Sequence, residues 1–392
     1  MAKKRKTVFG RLSRFAKDIV RNMSKRGATQ WMEDCKALFP HAVDSVVDAN
    51  RRDIAFGPEL EGTGLFAFDW TLVPSALPKV VFSSNPREKH DWCFLWGLGK
   101  TDVQCAVLAA AARGGAPLVL CEDGFLRSGD TFANPYAPEK FKRSCGVLFD
   151  TRGYHFDADR ETDIERMMND PALTLSPGQC AEARRLIDRI VSEKLTKYNH
   201  QPVFTPQVGR PGRRKVLVVD QSYGDQAIKR GWGSDKVFAD MLEDAKRENP
   251  DADILVKTHP DTMTGTRSGY YVDVKEEGNV FRVTMPVNPY SLMELVDKVY
   301  VCSTQMGFEA LMADKEVHVY GMPFYAGWGL TIDKQKNPRR TNRRTLEEAF
   351  HIFYVLYTHW VDVETGKPCT IDKAMDNLLK LRAEYARLQE RD

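Results

Sequence analysis

The chain has 392 residues, of which 42% are hydrophobic and 28% are charged, and its formal net charge at pH 7 is +3. This length predicts two domains, and the composition is that of an ordinary globular protein. The sequence contains no run of the about 18 to 20 apolar residues that a membrane-spanning helix needs, and no apolar segment typical of a secretory signal.

The first 26 residues hold ten lysines and arginines against one aspartate, a net charge of +9 that leaves −6 on the remainder. Within residues 1–27, apolar side chains recur at three- and four-residue spacing, which predicts a helix with one apolar and one basic face. Such a helix can lie at the surface of an anionic membrane. A disordered tail, a helix packed on the body and a nucleic-acid contact are the alternatives.

Residues 28–205 predict a first α/β domain. Its predicted strands lie at 80–82, 92–97, 117–121 and 146–149, and its predicted helices at 30–38, 102–113, 161–168 and 177–197. The alanine-rich helix at 102–113 lies between two strands. A strand, a helix and a strand at this spacing form a βαβ unit, which requires a parallel sheet.

Residues 206–340 predict a second domain of the same kind. Proline, glycine and charge replace any periodicity over residues 200–214, so we place the domain boundary there. The predicted strands lie at 215–219, 252–257, 280–284, 298–302 and 316–320, and the predicted helices at 235–248, 292–297 and 307–313. Residues 341–392 predict helices to the end. The predicted class is therefore α/β, with two Rossmann-type domains whose parallel sheets face a central cleft.

The eight cysteines are scattered, and no two have the Cys-x-x-Cys spacing of a zinc site or a redox motif. Several lie within apolar runs, where a thiol is usually a small core side chain. This usage fits a reducing cytoplasm.

Polar side chains follow the predicted strands of both domains, at the edge where open α/β sheets bind ligands. They form four groups: Glu122, Asp123 and Arg127; Asp220, Gln221 and Asp225; Lys257 and His259; and Ser303, Thr304, Gln305 and Glu309. We expect the groups to converge on the cleft between the domains. A carboxylate after a strand serves as a nucleophile or base, or alternatively as a helix cap or turn former.

Ser303, Thr304 and Gln305 join a strand to the start of a helix, where hydroxyls, free backbone N–H groups and the helix dipole suit a phosphate. Glu309, in the first turns of that helix, is placed to accept hydrogen bonds from ribose hydroxyls. Simple helix capping and a solvated glutamate are the alternatives. The spacing matches neither a P-loop nor a G-x-G-x-x-G dinucleotide motif.

Lys257 and His259 are two residues apart in an extended segment, so they point to the same side and can bracket an anionic group. Glu122 or Asp123 can supply an acid/base, but neighbouring strand residues point opposite ways, so only one should reach the cleft. Arg127 can pair with a carboxylate through two hydrogen bonds. The residues alone thus predict a transferase or hydrolase of a nucleotide-linked, anionic substrate.

Eight runs, in order and spanning about residues 95–375, resemble the bacterial capsule polysaccharide biosynthesis family of retaining β-Kdo glycosyltransferases of the KpsC/KpsS type. They are Trp96-Gly97; Glu122-Asp-Gly-Phe-Leu-Arg-Ser128; Asp150-x-x-Gly153-Tyr154; Leu195-x-Lys-Tyr-Asn199; Val218-Val-Asp-Gln-x-x-x-Asp225; Val256-Lys-x-His-Pro-Asp261; Gly307-Phe-Glu-Ala-Leu311; and Gly321-x-Pro-Phe-Tyr-Ala-Gly-Trp-Gly-Leu-Thr331.

The resemblance implies a GT-B-like fold, CMP-β-Kdo as the donor substrate, and double displacement through a covalent aspartyl-sugar intermediate. It implies that Asp225 is the nucleophile and Glu122 the acid/base, with no metal and no cofactor. Retaining transfer by this route needs a carboxylate on the face opposite the leaving CMP. The other implied substrate-binding residues are Asp123, Arg127, Gln221, Lys257, His259, Ser303, Thr304, Gln305 and Glu309.

Two departures from the family pattern concern the acceptor. The family prototype holds two transferase modules in tandem, whereas this chain has room for one. Residues 129–144 also replace a shorter family segment.

We therefore expect a transferase that builds a β-Kdo linker on a lipid-linked or oligosaccharide acceptor for capsule assembly. Residues 1–26 would hold it at the cytoplasmic face of the inner membrane, and nucleic acid is not an expected partner. A related capsule glycosyltransferase that uses another nucleotide sugar, or a non-catalytic capsule assembly or export protein, is the alternative.

Overall fold

The computed structural model describes residues 28–68, 72–131, 134, 136–263, 265 and 267–389. The amphipathic helix predicted for residues 1–27 lies outside this part of the chain.

The strands of the described residues are β1 (Gly62–Leu65), β2 (Val80–Ser83), β3 (Trp92–Trp96), β4 (Leu118–Asp123), β5 (Gly146–Asp150), β6 (Lys215–Val219), β7 (Asp253–Lys257), β8 (Val280–Val283), β9 (Lys298–Val301), β10 (Glu316–Val319), β11 (Ile332–Asp333), β12 (Thr358–Asp362) and β13 (Lys367–Pro368). The helices are α1 (Ala28–Asn50), α2 (Leu72–Ala76), α3 (Asp102–Gly114), α4 (Glu139–Lys142), α5 (Asp163–Asn169), α6 (Pro177–Ser192), α7 (Gln226–Arg230), α8 (Asp235–Glu248), α9 (Pro260–Met263), α10 (Pro289–Met293), α11 (Met306–Met312), α12 (Leu346–Phe350) and α13 (Ile371–Gln389), with a π-helical turn at His351–Leu356.

The first of two compact units holds the described residues up to Asp123, together with Val147–Tyr154 and His359–Cys369. Its sheet has the order β13-β12-β5-β4-β3-β1-β2. Strands β1 to β4 are parallel, and this includes the β3–β4 pair that was predicted to be parallel. Strand β5 runs antiparallel to β4, and β13 runs antiparallel to β12. A buried apolar cluster that includes Phe94, Val119 and Phe149 packs on this sheet.

The predicted βαβ unit is confirmed as β3, α3 and β4. Thr101 caps α3 by accepting a hydrogen bond from the backbone N–H of Gln104, whose side chain accepts one from the backbone of Thr101. At the other end Gly115 adopts a left-handed conformation with φ of 67°, which costs glycine little. Local sequence therefore sets both ends of this helix.

The second unit holds Gly124–Gly146, His155–Thr358 and the chain from Thr370. Its sheet has the order β11-β10-β9-β6-β7-β8, and every pair is parallel. With β6 as its first strand this is the doubly wound Rossmann order, and the connections reverse direction between β6 and β9. Val216 to Val219 are buried on both faces, as a central parallel strand requires. The predicted α/β class with two Rossmann-type sheets is confirmed.

The prediction of helices alone after residue 341 was wrong. Strand β12 follows α12 and lies beside β5 in the first sheet, and β13 pairs with it. Likewise β1 and β11 were not predicted. These strands are two to five residues long, and such short segments show no recognisable alternation of apolar and polar residues, so neither length nor periodicity marks them.

The compact units divide the chain differently from the predicted boundary at 205/206. Residues 200–214 contain no helix or strand, as expected of a linker, but they lie wholly within the second unit. Helix α6 belongs there too, because Arg189 on α6 forms ion pairs with Asp372 at 2.7 Å and Asp376 at 2.5 Å on α13.

None of the eight cysteines forms a disulfide, and six of them are buried, as their positions in apolar runs predicted. No helix in the described ranges is long and apolar enough to cross a membrane.

Candidate active site

Gln221 and Ser303 form hydrogen bonds with each other at the carboxyl ends of β6 and β9, the two neighbouring strands between which the connections of the second sheet reverse direction. The Gln221 side chain donates from Nε2 to Ser303 Oγ at 3.3 Å, and its Oε1 accepts from the Ser303 backbone N–H at 2.9 Å. These bonds join the carboxyl ends of β6 and β9, which are 82 residues apart in sequence. Two of the predicted polar groups are therefore brought together. Since both side chains are buried, their first role here is to brace this edge of the sheet.

Asp220 anchors a loop to the end of β6. Its Oδ1 accepts hydrogen bonds from the backbone N–H groups of Gln221 at 2.9 Å and Tyr270 at 2.8 Å. Burial raises the pKa of this carboxyl. Gly269 packs so closely on the Asp220 carboxylate that a Cβ there would overlap it. The structure thus gives Asp220 a supporting role beside Asp225.

Asp225 is the N-cap of α7. Its Oδ1 accepts a hydrogen bond from the Ala227 backbone N–H at 2.9 Å, while its Oδ2 lies 4.0 Å from Nη1 of Arg267. The side chain is 44% exposed. The cap that the sequence offered as an alternative is therefore real, and it holds an accessible carboxylate in a fixed orientation next to a cation.

His259 lies against the segment that follows β6. Its Nδ1 is 3.0 Å from Ser222 Oγ, and Ser222 forms a backbone bridge with Gly269. The predicted convergence of His259 with the β6 residues is observed through this contact. Ser222 was not among the predicted site residues; the available signal was its position, three residues after a buried strand.

Lys257 ends β7 as a buried cation, 3% exposed. Its Nζ donates to the carbonyl oxygen of Thr258 at 3.0 Å and lies 3.7 Å from the sulfur of Met263. Burial lowers its pKa to about 8. None of the carboxylates among the described side chains pairs with it. A buried ammonium group of this kind gains from an anion placed beside it.

Thr304 and Gln305 connect β9 to α11. The Thr304 hydroxyl accepts from the Met306 backbone N–H at 3.3 Å, and its carbonyl accepts from the Tyr325 hydroxyl at 2.6 Å. Gln305 is the N-cap residue but makes no capping bond, because its Nε2 donates to the carbonyl oxygen of Phe125 at 2.6 Å. Capping by Thr304, one of the two alternatives, is thus observed; the predicted phosphate contact stays a prediction.

Glu309 on α11 is buried and points at the backbone of residues 196–197. Its carboxylate accepts hydrogen bonds from the Lys197 N–H, the Thr196 hydroxyl and the Gln305 side chain. Burial raises the pKa of Glu309 to about 7. The solvated glutamate offered as an alternative is therefore wrong, and the contact with a ribose stays a prediction.

Glu309 should make the stability of the protein depend on pH. Its pKa of about 7 in the folded state exceeds the ordinary 4.5, so the folded chain binds the proton more tightly and the free energy of unfolding falls as pH rises between these values. Glu309→Gln should flatten the profile by on the order of 2 to 3 kcal/mol between about pH 4.5 and about pH 8. The free energy of unfolding in urea, measured at about pH 4.5 and at about pH 8, tests this difference. Glu277→Gln, at an exposed glutamate, is the control. Parallel profiles for wild type and Glu309→Gln would contradict the assignment.

Arg127 is fully buried in the second unit. Its Nη1 donates to Ser128 Oγ at 2.8 Å and lies 3.5 Å from the carbonyl oxygen of Asp130, while its guanidinium carbon lies 5.4 Å from the ring centre of Tyr198. Its role in these contacts is to hold the segment after β4 against residues 197–199. The predicted bidentate pairing with a carboxylate of the substrate stays a prediction.

Glu122 and Asp123 end β4 in the first unit, where both are partly buried. Glu122 Oε1 accepts from the Asp123 backbone N–H at 3.1 Å. A Cβ built on Gly97 would lie 4.0 Å from Glu122 Oε2, and Tyr154 donates its hydroxyl hydrogen to the Gly97 carbonyl at 2.8 Å. Three of the family-like runs therefore meet within this unit. That Glu122 acts on the same substrate as Asp225 stays a prediction.

The longest family-like run, 321–331, forms part of the core. Trp328 is fully buried and donates its indole N–H to the Phe324 carbonyl at 2.9 Å. Arg340 lies 5.5 Å from the Trp328 ring centre, donates to the carbonyls of Pro323 and Ala326, and pairs with Glu165 on α5 at 3.2 Å. Arg340 and Glu165 therefore hold this run, which directly follows β10, in a fixed conformation within the core.

Comparison with known proteins identifies relatives across most of the chain. The family model of the capsule polysaccharide biosynthesis protein matches residues 206–362. The chain is 33% identical over 303 residues to the capsule polysaccharide modification protein LipA of Neisseria meningitidis serogroup B, and 33% identical over 287 residues to the lipopolysaccharide-processing protein LpsZ of Rhizobium meliloti. These matches cover 75% and 72% of this chain, but 42% of LipA and 62% of LpsZ. The chain thus spans about half the length of these relatives.

Among solved structures, the chain is similar to KpsC of Thermosulfurimonas dismutans, a β-Kdo 2,4 transferase. The TM-score is 0.72 and the sequence identity 31%, over 83% of this chain and 99% of that chain. Fold and sequence therefore agree over nearly the whole of that solved chain. The chain belongs to the capsule polysaccharide biosynthesis family.

Proposed function

We propose that the chain is a retaining glycosyltransferase that transfers β-Kdo from CMP-β-Kdo, in the assembly of a capsule polysaccharide. The observation that carries the proposal is Asp225, an accessible carboxylate held by a helix cap at the carboxyl end of β6, in a chain similar to a Kdo transferase. Open doubly wound sheets bind ligands at this edge.

In the proposed reaction, an Asp225 oxygen attacks the anomeric carbon C2 of Kdo. The bond from C2 to the phosphate oxygen breaks, its electron pair leaves with CMP, and a glycosyl ester forms on Asp225. A hydroxyl of the acceptor then attacks C2 and loses its proton to Glu122, while the Asp225 carboxylate leaves. Two inversions at one carbon give net retention.

The donor carries negative charge on its phosphate and on the Kdo carboxylate. Lys257 and His259 are the groups we assign to that charge, because Lys257 is a buried cation and His259 joins the same strand end to Ser222. Arg267, 4.0 Å from Asp225, adds a positive group at the nucleophile. An anion beside Lys257 would offset the cost of its burial.

The donor is tested with a panel of nucleotide sugars incubated with the full chain, measuring nucleotide release. Release of CMP from CMP-β-Kdo, and none from other nucleotide sugars, is the expected result. Release from a different donor supports the alternative of a related capsule transferase. Absence of release and of binding for every donor supports the alternative of a non-catalytic assembly or export protein.

We also propose that residues 1–26 attach the protein to an anionic membrane at the cytoplasmic face, next to a lipid-linked acceptor. Removal of residues 1–27 should weaken binding to vesicles that contain phosphatidylglycerol by at least about 10-fold, because each basic residue near the surface contributes about 1 kcal/mol. Sedimentation with such vesicles measures this, and neutral vesicles are the control. Equal binding by the full and the shortened chain would refute the membrane role.

A further inference from the structure

Arg267 lies beside the proposed nucleophile in the second unit. Its Nη1 is 4.0 Å from Oδ2 of Asp225, whose Oδ1 is held by the Ala227 backbone N–H. The Arg267 side chain is 53% exposed and the Asp225 side chain 44%, so a ligand can reach both of them. A charge-assisted hydrogen bond spans about 2.7 to 2.9 Å, which is much shorter than this contact. The guanidinium is therefore near the nucleophile without being committed to it by a hydrogen bond.

The chain that follows Arg267 is fixed to the chain that precedes Asp225. Three contacts join residues 268–270 to residues 220–223. They are the hydrogen bond from the Tyr223 N–H to the Ser268 carbonyl at 2.8 Å, the backbone bridge between Ser222 and Gly269, and the hydrogen bond from the Tyr270 N–H to Asp220 at 2.8 Å. The backbone of Arg267 is thereby positioned relative to the nucleophile, as a preorganised site requires.

The proposed donor brings a second carboxylate to the same place. In Kdo the anomeric carbon C2, which Asp225 attacks, is bonded directly to the carboxylate carbon C1. An Asp225 oxygen poised for attack lies about 3 to 3.5 Å from C2, so it lies almost as close to the sugar carboxylate. Two negative charges at such a separation repel each other strongly, and a cation beside them removes that repulsion. The attack on this sugar therefore needs a cation next to the nucleophile.

We propose that Arg267 binds the carboxylate of the transferred sugar and so selects a donor whose anomeric carbon bears that group. This inference rests on the proposed function and names the residue that determines its sugar specificity. The planar guanidinium presents its donors in the fork that a carboxylate accepts through two hydrogen bonds. It lowers the repulsion between the sugar and Asp225 both in the bound donor and during attack. Lys257 and His259 are then needed for the phosphate alone.

Arg267 suits this role better than Arg127, to which the sequence assigned it. The Arg127 side chain is fully buried, and its Nη1 donates to Ser128 Oγ at 2.8 Å. The Arg267 side chain is half exposed and adjoins Asp225. A substrate carboxylate can therefore reach Arg267 while the packing around Arg127 stays intact.

The first test measures Arg267→Met against wild type in the full chain, with CMP-β-Kdo and CMP as ligands. Loss of hydrogen bonds between charged groups should reduce kcat/KM for release of CMP from CMP-β-Kdo by at least about 10-fold. The inhibition constant of CMP, which lacks the sugar carboxylate, should stay unchanged. Arg267→Lys keeps the charge without the fork, so it should recover only part of the loss. Lys275→Met, at an exposed cation in the same β7–β8 connection, is the matched control and should alter neither value.

The second test examines the carboxylate itself and needs no donor. The probes are the methyl β-glycoside of Kdo and its C1 methyl ester, observed by saturation-transfer NMR with CMP present. Wild type should bind the acid in preference to the ester, and Arg267→Met should lose this preference. Absence of the preference in wild type, or its retention in Arg267→Met, would overturn the proposal. An equal loss of affinity for CMP and CMP-β-Kdo in Arg267→Met would also overturn it, because Arg267 would then serve the phosphate.

The two proposals can fail separately. If the donor panel selects a sugar without a carboxylate, the proposed function fails. If CMP-β-Kdo is the donor and Arg267→Met keeps the kcat/KM of wild type, the Kdo reaction stands and the role of Arg267 alone is refuted.

Discussion

Asp225→Asn should abolish the covalent sugar adduct that forms with CMP-β-Kdo, and should slow turnover by about 10³-fold or more. Asparagine caps a helix as well as aspartate does, so the bond to the Ala227 N–H and the stability of α7 should be retained. An amide, however, is too weak a nucleophile for the first displacement. Intact-mass measurement of the protein after incubation with the donor detects the adduct directly.

Two further variants separate the cap from the chemistry. Asp225→Ser keeps a capping side chain and Asp225→Ala removes it, at a cost of about 1 kcal/mol. All three variants should lack the adduct, and Asp225→Ala alone should be less stable. If activity followed stability, so that Asp225→Asn and Asp225→Ser were active, Asp225 would be a helix cap only and the proposed nucleophile would be wrong.

Glu122→Gln should have the opposite effect on the covalent adduct from the Asp225 variants. In the proposed reaction Glu122 takes a proton in the second step, whereas CMP leaves in the first step without a proton donor. The variant should therefore form the adduct and accumulate it, with turnover reduced. Loss of the adduct in Glu122→Gln would place Glu122 in the first step instead.

Arg340→Met should cost about 2 to 5 kcal/mol of stability, because it leaves two buried carbonyls without their donor and removes one of the two cations that pair with Glu165. Its guanidinium donates to the carbonyls of Pro323 and Ala326, and it pairs with Glu165, whose side chain is 1% exposed. The variant leaves both carbonyls without that donor and leaves Glu165 with Arg339 at 2.7 Å. The free energy of unfolding in urea measures the loss.

Arg343→Met is the matched control, because Arg343 lies three residues further along the same segment and is exposed. Its effect should stay within about 0.5 kcal/mol, as for most surface substitutions. A loss below about 1 kcal/mol for Arg340→Met would contradict this assignment and would show that Arg339 alone compensates the charge of Glu165.

Much of the architecture could be predicted because it depends on local pattern. A short apolar run such as Val216 to Val219 can satisfy its burial only as an inner strand, and Thr101 with Gln104 marks the start of a helix wherever the chain folds. The position of polar residues at strand ends follows from the same pattern. The sequence alone thus determined the α/β class, most strands and the positions of the polar side chains that follow β6 and β7.

Tertiary structure decided which distant segments meet. Nothing local marks β12 as a partner of β5, assigns residues 124–146 to the second unit, or pairs Gln221 with Ser303 across 82 residues. It also decided how much water each polar group retains: Lys257 and Glu309 are buried, whereas Asp225 caps a helix and stays accessible. Hydrophobic periodicity reports which face of an element is covered, but long-range packing chooses what covers it, and that choice positions the candidate site.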